Sequence, residues 1–113
     1  MSTQNLLADR SCAPCEGGVL PFSAEQARDQ LTALKPAWKV NESGTAIEAS
    51  YRFRDFYRVM SFVNALAHIA NAEDHHPDLK IGYNYCHVLY TTHAIKGLSE
   101  NDFICAAKID RLS

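Results

Sequence analysis

The stretch DFYRVMSFVNALAHIANAEDHHPDLKIGYNYCHVLYTTH, residues 55–93, changes its hydrophobic period part-way through. Up to Glu73, the apolar residues Phe56, Val59, Met60, Val63, Ala67 and Ala70 recur at three and four, and Phe62, Leu66 and Ile69 widen the stripe. That is the period of an α-helix with one broad apolar face, and Asp55 is placed to cap its start. His68 falls with Arg58, Ser61 and Ala65 on the other side and reads as surface. Beyond Pro77 the period drops to two, the signature of strands. Leu79, Ile81 and Tyr83 alternate with Asp78, Lys80, Gly82 and Asn84. After a turn near Asn84 and Tyr85, Cys86, Val88, Tyr90 and Thr92 share one face, opposite His87, Leu89, Thr91 and His93.

The same reading extends outward. Ser23 is a helix N-cap signal with Glu25 and Gln26 in the first turn, and Pro36 marks a stop. Ala24, Ala27, Leu31 and Leu34 supply the apolar stripe between them. The segments WKV and TAIEASYRF bracket the turn-forming NESG, which predicts a β-hairpin with Ile47, Ala49, Tyr51 and Phe53 on its apolar face. At the far end Ser99 and Asp102 have capping-box spacing, with Cys105, Ile109 and Leu112 following along a last helix. The order is therefore α-β-β-α-β-β-α. Two hairpins alternating with helices predict an α+β fold, a four-stranded antiparallel sheet with its helices packed on one face. Residues 23–113 make the single domain, and residues 1–22 read as an irregular, mobile N-terminal leader lying over it.

Composition narrows the function classes. The chain has 113 residues, 47% of them hydrophobic and 21% charged, with a net charge of −2. A single core of ordinary size is expected. The charge balance offers no basic footprint for nucleic acid. No apolar run is long enough to span a membrane, and no secretory signal pattern opens the chain, so a cytoplasmic location is expected. Cysteines in such a compartment are thiols rather than a disulfide framework. Cys86 and Cys105 read as small core residues. Cys12 and Cys15 form C-A-P-C, a spacing known from zinc and redox sites, but no second pair completes a four-ligand site, and unremarkable leader thiols are the simpler reading.

Four of the five histidines lie between His75 and His93. Adjacent side chains on an extended segment point apart, so His75 and His76 make an awkward chelating pair, and no H-E-x-x-H spacing occurs. No metal is expected. A structural role remains open, with His75 ending the long helix and His76 packing under Pro77. The alternative is a pocket for acid–base work near neutral pH, with two imidazoles on a loop and His93 across from them at a strand end.

At these residues the chain resembles the pterin-4a-carbinolamine dehydratase family. The resemblance rests on His75-His76-Pro77, Tyr83, Thr92-His93, Gly97-Leu98-Ser99 and Asp102, and it extends through residues 23–112, including the helix FRDFYRVMSFVNALAHIA and Trp38. The leader with CAPCEGG is also similar to that of many bacterial members. The resemblance implies an enzyme that converts 4a-hydroxytetrahydrobiopterin to quinonoid dihydropterin and water, without metal or organic cofactor. It implies His75 and His93 as acids near the 4a-hydroxyl, and His76 as holder of the ring and candidate base. Asp102, close after His93, would orient that imidazole or simply complement the helix dipole. Trp38 would join the pocket or serve as a core aromatic, Pro77 would fix the loop, and Glu73 would add negative charge. Many members carry an acidic residue four positions before the first histidine. Here it is Asn71, so any polarising role of that side chain falls to Glu73 or is absent. The family also implies a homodimer or homotetramer and a place beside an aromatic amino acid hydroxylase, phenylalanine hydroxylase above all. Its members can also act as dimerisation partners of a transcription factor, which keeps a non-enzymatic binding module as the alternative.

Overall fold

The computed structural model describes residues 6–13 and 20–112. Its helices are α1 (Ala24–Leu31), α2 (Phe56–Glu73) and α3 (Glu100–Asp110), and its strands β1 (Lys39–Val40), β2 (Ile47–Arg52), β3 (Asp78–Ile81) and β4 (Tyr85–Tyr90). The four strands form one antiparallel sheet in the order β1-β2-β4-β3, so the two hairpins meet through β2 and β4. Their register pairs Ile47 with Tyr90 and Arg52 with Tyr85. This places Ile47, Ala49 and Tyr51 beside Cys86, Val88 and Tyr90 on the buried face. The helices cover that face, and the α+β architecture expected from the two periods is the one observed.

α2 presents Val59, Phe62, Val63, Leu66 and Ala70 to the core, while Phe56 at its start is exposed. His68 is at the surface. Asp55 caps the helix through its carboxylate, which accepts from Arg58 N–H at 3.0 Å. β3 departs from its expected pattern. Ile81 and Tyr83 are exposed, because β3 is an edge strand that runs beyond the helical cover.

α1 also stops earlier than Pro36 would dictate. Ser23 and Gln26 form the capping box, but after Leu31 the chain tightens into turns that bond three residues back. The backbone N–H of Lys35 is taken by the carboxylate of Asp110 at 2.9 Å, which draws residues 32–35 out of the helical path. Leu34 reaches the core from this turn rather than from a helix.

Where it is described, the leader packs against the domain. Leu7–Asp9 form a short 3-10 turn with Leu7 buried in the core. Lys108 Nζ donates to Ala8 O at 3.0 Å, Arg111 pairs with Asp9, and Arg10 pairs with Glu100. α3 is thus covered on two sides, which is why every residue from Asn101 to Ala107 is buried instead of a single stripe. Leu112, expected on that stripe, lies past the helix end and is exposed.

Candidate active site

α2 ends on Asp74, whose left-handed backbone (φ 52°) turns the chain sharply out of the helix. Asp tolerates this conformation better than most residues with a side chain. The turn is closed by His75 N–H donating to Ala70 O at 3.1 Å, so His75 and His76 emerge at a fixed place beside the sheet. Pro77 then restricts His76 to extended backbone and leads directly into β3.

His75 is held from three directions. Its imidazole stacks on the fully buried ring of Tyr90, with centroids 5.2 Å apart and planes 12° from parallel. The Tyr90 hydroxyl donates to the backbone carbonyl of His75 at 3.1 Å. His75 Nε2 lies 2.6 Å from Asp102 Oδ1. The other oxygen of Asp102 accepts from Ser99 N–H at 3.0 Å and from the Thr92 hydroxyl at 2.8 Å. Burial by itself would depress the His75 pKa. The hydrogen bond and charge of Asp102 outweigh it and hold that pKa above the ordinary histidine value.

His76 is more exposed and lies with Nε2 2.9 Å from Asn71 Oδ1, one turn back on α2. His93 opens the 3-10 turn His93–Ile95 after β4 and is exposed. All three histidines line one open cavity of about 530 Å³, together with Glu73, Thr92, Asn101 and the leader residues Cys12 and Ala13. A cavity of this size suits a single small heterocyclic ligand. Among the described residues, no group of three or more His, Cys, Asp or Glu side chains is placed to hold a metal ion.

The geometry bears on three sequence expectations. Asp102 follows His93 in the chain, yet it pairs with His75, because the capping turn of α3 directs its carboxylate under the α2–β3 loop. Glu73 lines the cavity, but its Oε1 accepts from Cys12 N–H at 2.7 Å and its Oε2 pairs with Lys108 at 3.5 Å. The Cys12 hydrogen bond is the main reason its pKa is lowered. Glu73 therefore fastens the leader, and Asn71 itself contacts His76. Trp38 is outside the cavity lining. It is buried in the core, where its Nε1–H donates to Asp110 at 2.9 Å.

His87 lies on the opposite face of the sheet against Ser50 and Glu48, apart from the cavity. Tyr90, Thr92 and Ser99 support the site through hydrogen bonds that the sequence pattern alone does not predict. The available signal was the presence of two hydroxyl side chains, Tyr90 and Thr92, on an otherwise apolar buried strand face. Pro14 and Cys15, the second half of the CAPC spacing, lie outside the described residues.

A family model, Pterin 4 alpha carbinolamine dehydratase, matches residues 20–112. The chain belongs to this family. Proteins carrying the provisional name pterin-4-alpha-carbinolamine dehydratase are similar to it over most of its length. One from Nitrosomonas eutropha is 54% identical, covering 94% of this chain and 92% of the relative. One from Legionella pneumophila strain Lens is 51% identical, covering 94% of each. Among solved structures, a transcriptional coactivator/pterin dehydratase from Brucella melitensis superposes with a TM-score of 0.77 at 29% identity, covering 81% of this chain and 97% of that one. A pterin dehydratase-like protein described as a RuBisCO assembly factor in the alpha-carboxysome shares the fold, with a TM-score of 0.60 at 21% identity over 67% of this chain and 88% of that one.

Proposed function

We propose that this dehydratase-family chain is catalytically active and removes water from 4a-hydroxytetrahydrobiopterin. The observation that carries the reading is His75, made more basic by the buried carboxylate of Asp102 at the wall of a cavity it shares with His76 and His93. Hydroxide is a poor leaving group, so an acid must give the 4a-oxygen a proton as its bond to C4a breaks. A base removes the proton on N5, the electron pair closes the C4a–N5 double bond, and quinonoid dihydropterin and water result. His75, kept protonated by Asp102 to higher pH, suits the acid. His93 is the second acid, serving the opposite configuration at C4a, and His76 holds the ring and takes the N5 proton. Pro77 sets the direction of that loop.

The reaction would recycle the pterin used by an aromatic amino acid hydroxylase, phenylalanine hydroxylase above all, in the cytoplasm. The open edge of β3 supports assembly into a dimer or tetramer. A non-enzymatic binding module is the second reading. It draws on the Brucella melitensis protein, which is named both transcriptional coactivator and pterin dehydratase. The set of three cavity histidines favours catalysis, because a scaffold has no use for them.

The test follows 4a-hydroxytetrahydropterin dehydration by absorbance. The wild type should accelerate it, and a folded His76→Ala, His93→Ala double variant should be slower by about 10²-fold or more. No acceleration by the wild type above the spontaneous reaction would overturn the enzymatic reading.

A further inference from the structure

Cys12 and Cys105 take no part in the proposed dehydration, yet their sulfurs lie 3.6 Å apart. Cys12 is half-buried and lines the histidine cavity, whereas Cys105 is fully buried on α3 behind it. The approach is fixed by the surroundings. Cys12 N–H is bound to Glu73, and the adjacent Ala13 is clasped by the side chain of Asn101, which accepts from its N–H at 3.1 Å and donates to its carbonyl at 2.6 Å. Four chain positions separate Asn101 from Cys105 on α3, so the same helix face grips the leader and supplies the second thiol.

We propose that Cys12 and Cys105 form an oxidative modification site, closed into a disulfide by a hydroperoxide that enters through the histidine cavity. The sulfur of Cys12 attacks one peroxide oxygen. An S–O bond forms as O–O breaks, and the alkoxide leaves as the alcohol with the Cys12 thiol proton. The sulfur of Cys105 then attacks the Cys12 sulfenic acid. An S–S bond forms as S–O breaks, and hydroxide departs with the Cys105 proton as water. The two thiols lose two electrons and the peroxide gains two.

The local chemistry assists the second step. The hydrogen bond between the two thiols, joined by that of the Tyr90 hydroxyl, holds the Cys105 pKa below the ordinary thiol value, although burial opposes it. A thiol so placed is a better nucleophile than an isolated buried one. The same hydrogen bond, burial and the charge of Glu73 push the Cys12 thiol up, so Cys12 attacks first because it is the sulfur that lines the cavity and not because it is the more acidic. Cys86 is an internal control. It is fully buried in the sheet, and burial raises its pKa. A disulfide length of about 2.05 Å requires the two sulfurs to approach by roughly 1.5 Å. The site rests on the placement of the thiols and holds whether or not the cavity dehydrates pterins.

The test treats the full chain with tert-butyl hydroperoxide and maps its cysteines by mass spectrometry after alkylation and proteolysis. A cross-linked peptide pair joining Cys12 to Cys105, with Cys86 still alkylatable, is the expected result. The same pair should form in Cys15→Ser and be absent from Cys105→Ala. A bond from Cys12 to Cys15, over-oxidation of Cys12 without a cross-link, or unreacted thiols in the wild type would each overturn the proposal. The Cys15→Ser variant separates pairing geometry from folding, since it leaves both proposed partners in place.

Discussion

Asp102 carries two obligations with one buried carboxylate. One oxygen completes the cap of α3 through Ser99 N–H, and the other meets His75 at 2.6 Å. The folded pKa of His75 lies above its unfolded value near 6.5. The pair therefore stabilises the fold fully below that pH and loses its contribution as pH rises through the higher folded pKa. Asp102→Asn should consequently cost roughly 1–3 kcal/mol at mildly acidic pH and less at alkaline pH, measured as urea midpoints across pH. The same variant should lower the alkaline limb of the dehydration profile by moving the His75 pKa down, with a loss of about tenfold near neutrality. A profile left in place would show that the His75 acid is not tuned by Asp102. The capping role of Asp102 was legible from S-x-x-D spacing. Its histidine partner was not, because chain proximity pointed to His93 and only the packing of α3 under the α2–β3 loop selects His75.

At the scale of elements, the period change in residues 55–93 made α2 and β4 readable, and the NESG turn located β2. Strong periodicity survives tertiary packing because both the helix stripe and the strand face must meet the same core. What failed were the weaker elements. α1 lost its last turn to the Asp110 carboxylate at Lys35 N–H, and β3 exposes Ile81 and Tyr83 because edge strands outrun their cover. The join between α2 and β3 depends on a single left-handed residue, Asp74. Asp74→Gly should leave stability unchanged or raise it by up to about 1 kcal/mol, since glycine adopts that conformation without steric cost. Asp74→Val should lower stability by about 1–2 kcal/mol and reduce dehydration further than the lost stability explains, because it displaces the two histidines that follow. Equal midpoints for the two variants in denaturant titrations would remove Asp74 as the determinant of that turn.

Across the whole molecule, one acidic side chain at the end of α3 joins elements far apart in sequence. Asp110 accepts from Lys35 N–H, Trp38 Nε1–H and the Tyr51 hydroxyl, tying α3 to the α1–β1 connection and to β2. Burial foremost, and then the charge of Asp110, push the Tyr51 hydroxyl pKa far up, so Tyr51 remains a donor at any physiological pH. Asp110, directly before Arg111, sits in no sequence pattern that marks a buried hub, so Trp38 stays open between pocket and core on sequence alone. The structure separates those options by experiment. Trp38→Phe keeps an aromatic ring at the 74° edge contact with Tyr51 but removes one donor to a buried carboxylate. It should destabilise the fold by about 1–3 kcal/mol in urea denaturation. Because Trp38 is absent from the cavity lining, kcat/KM for dehydration per folded molecule should match the wild type. A variant with wild-type stability and depressed kcat/KM would reverse the assignment and return Trp38 to the substrate site.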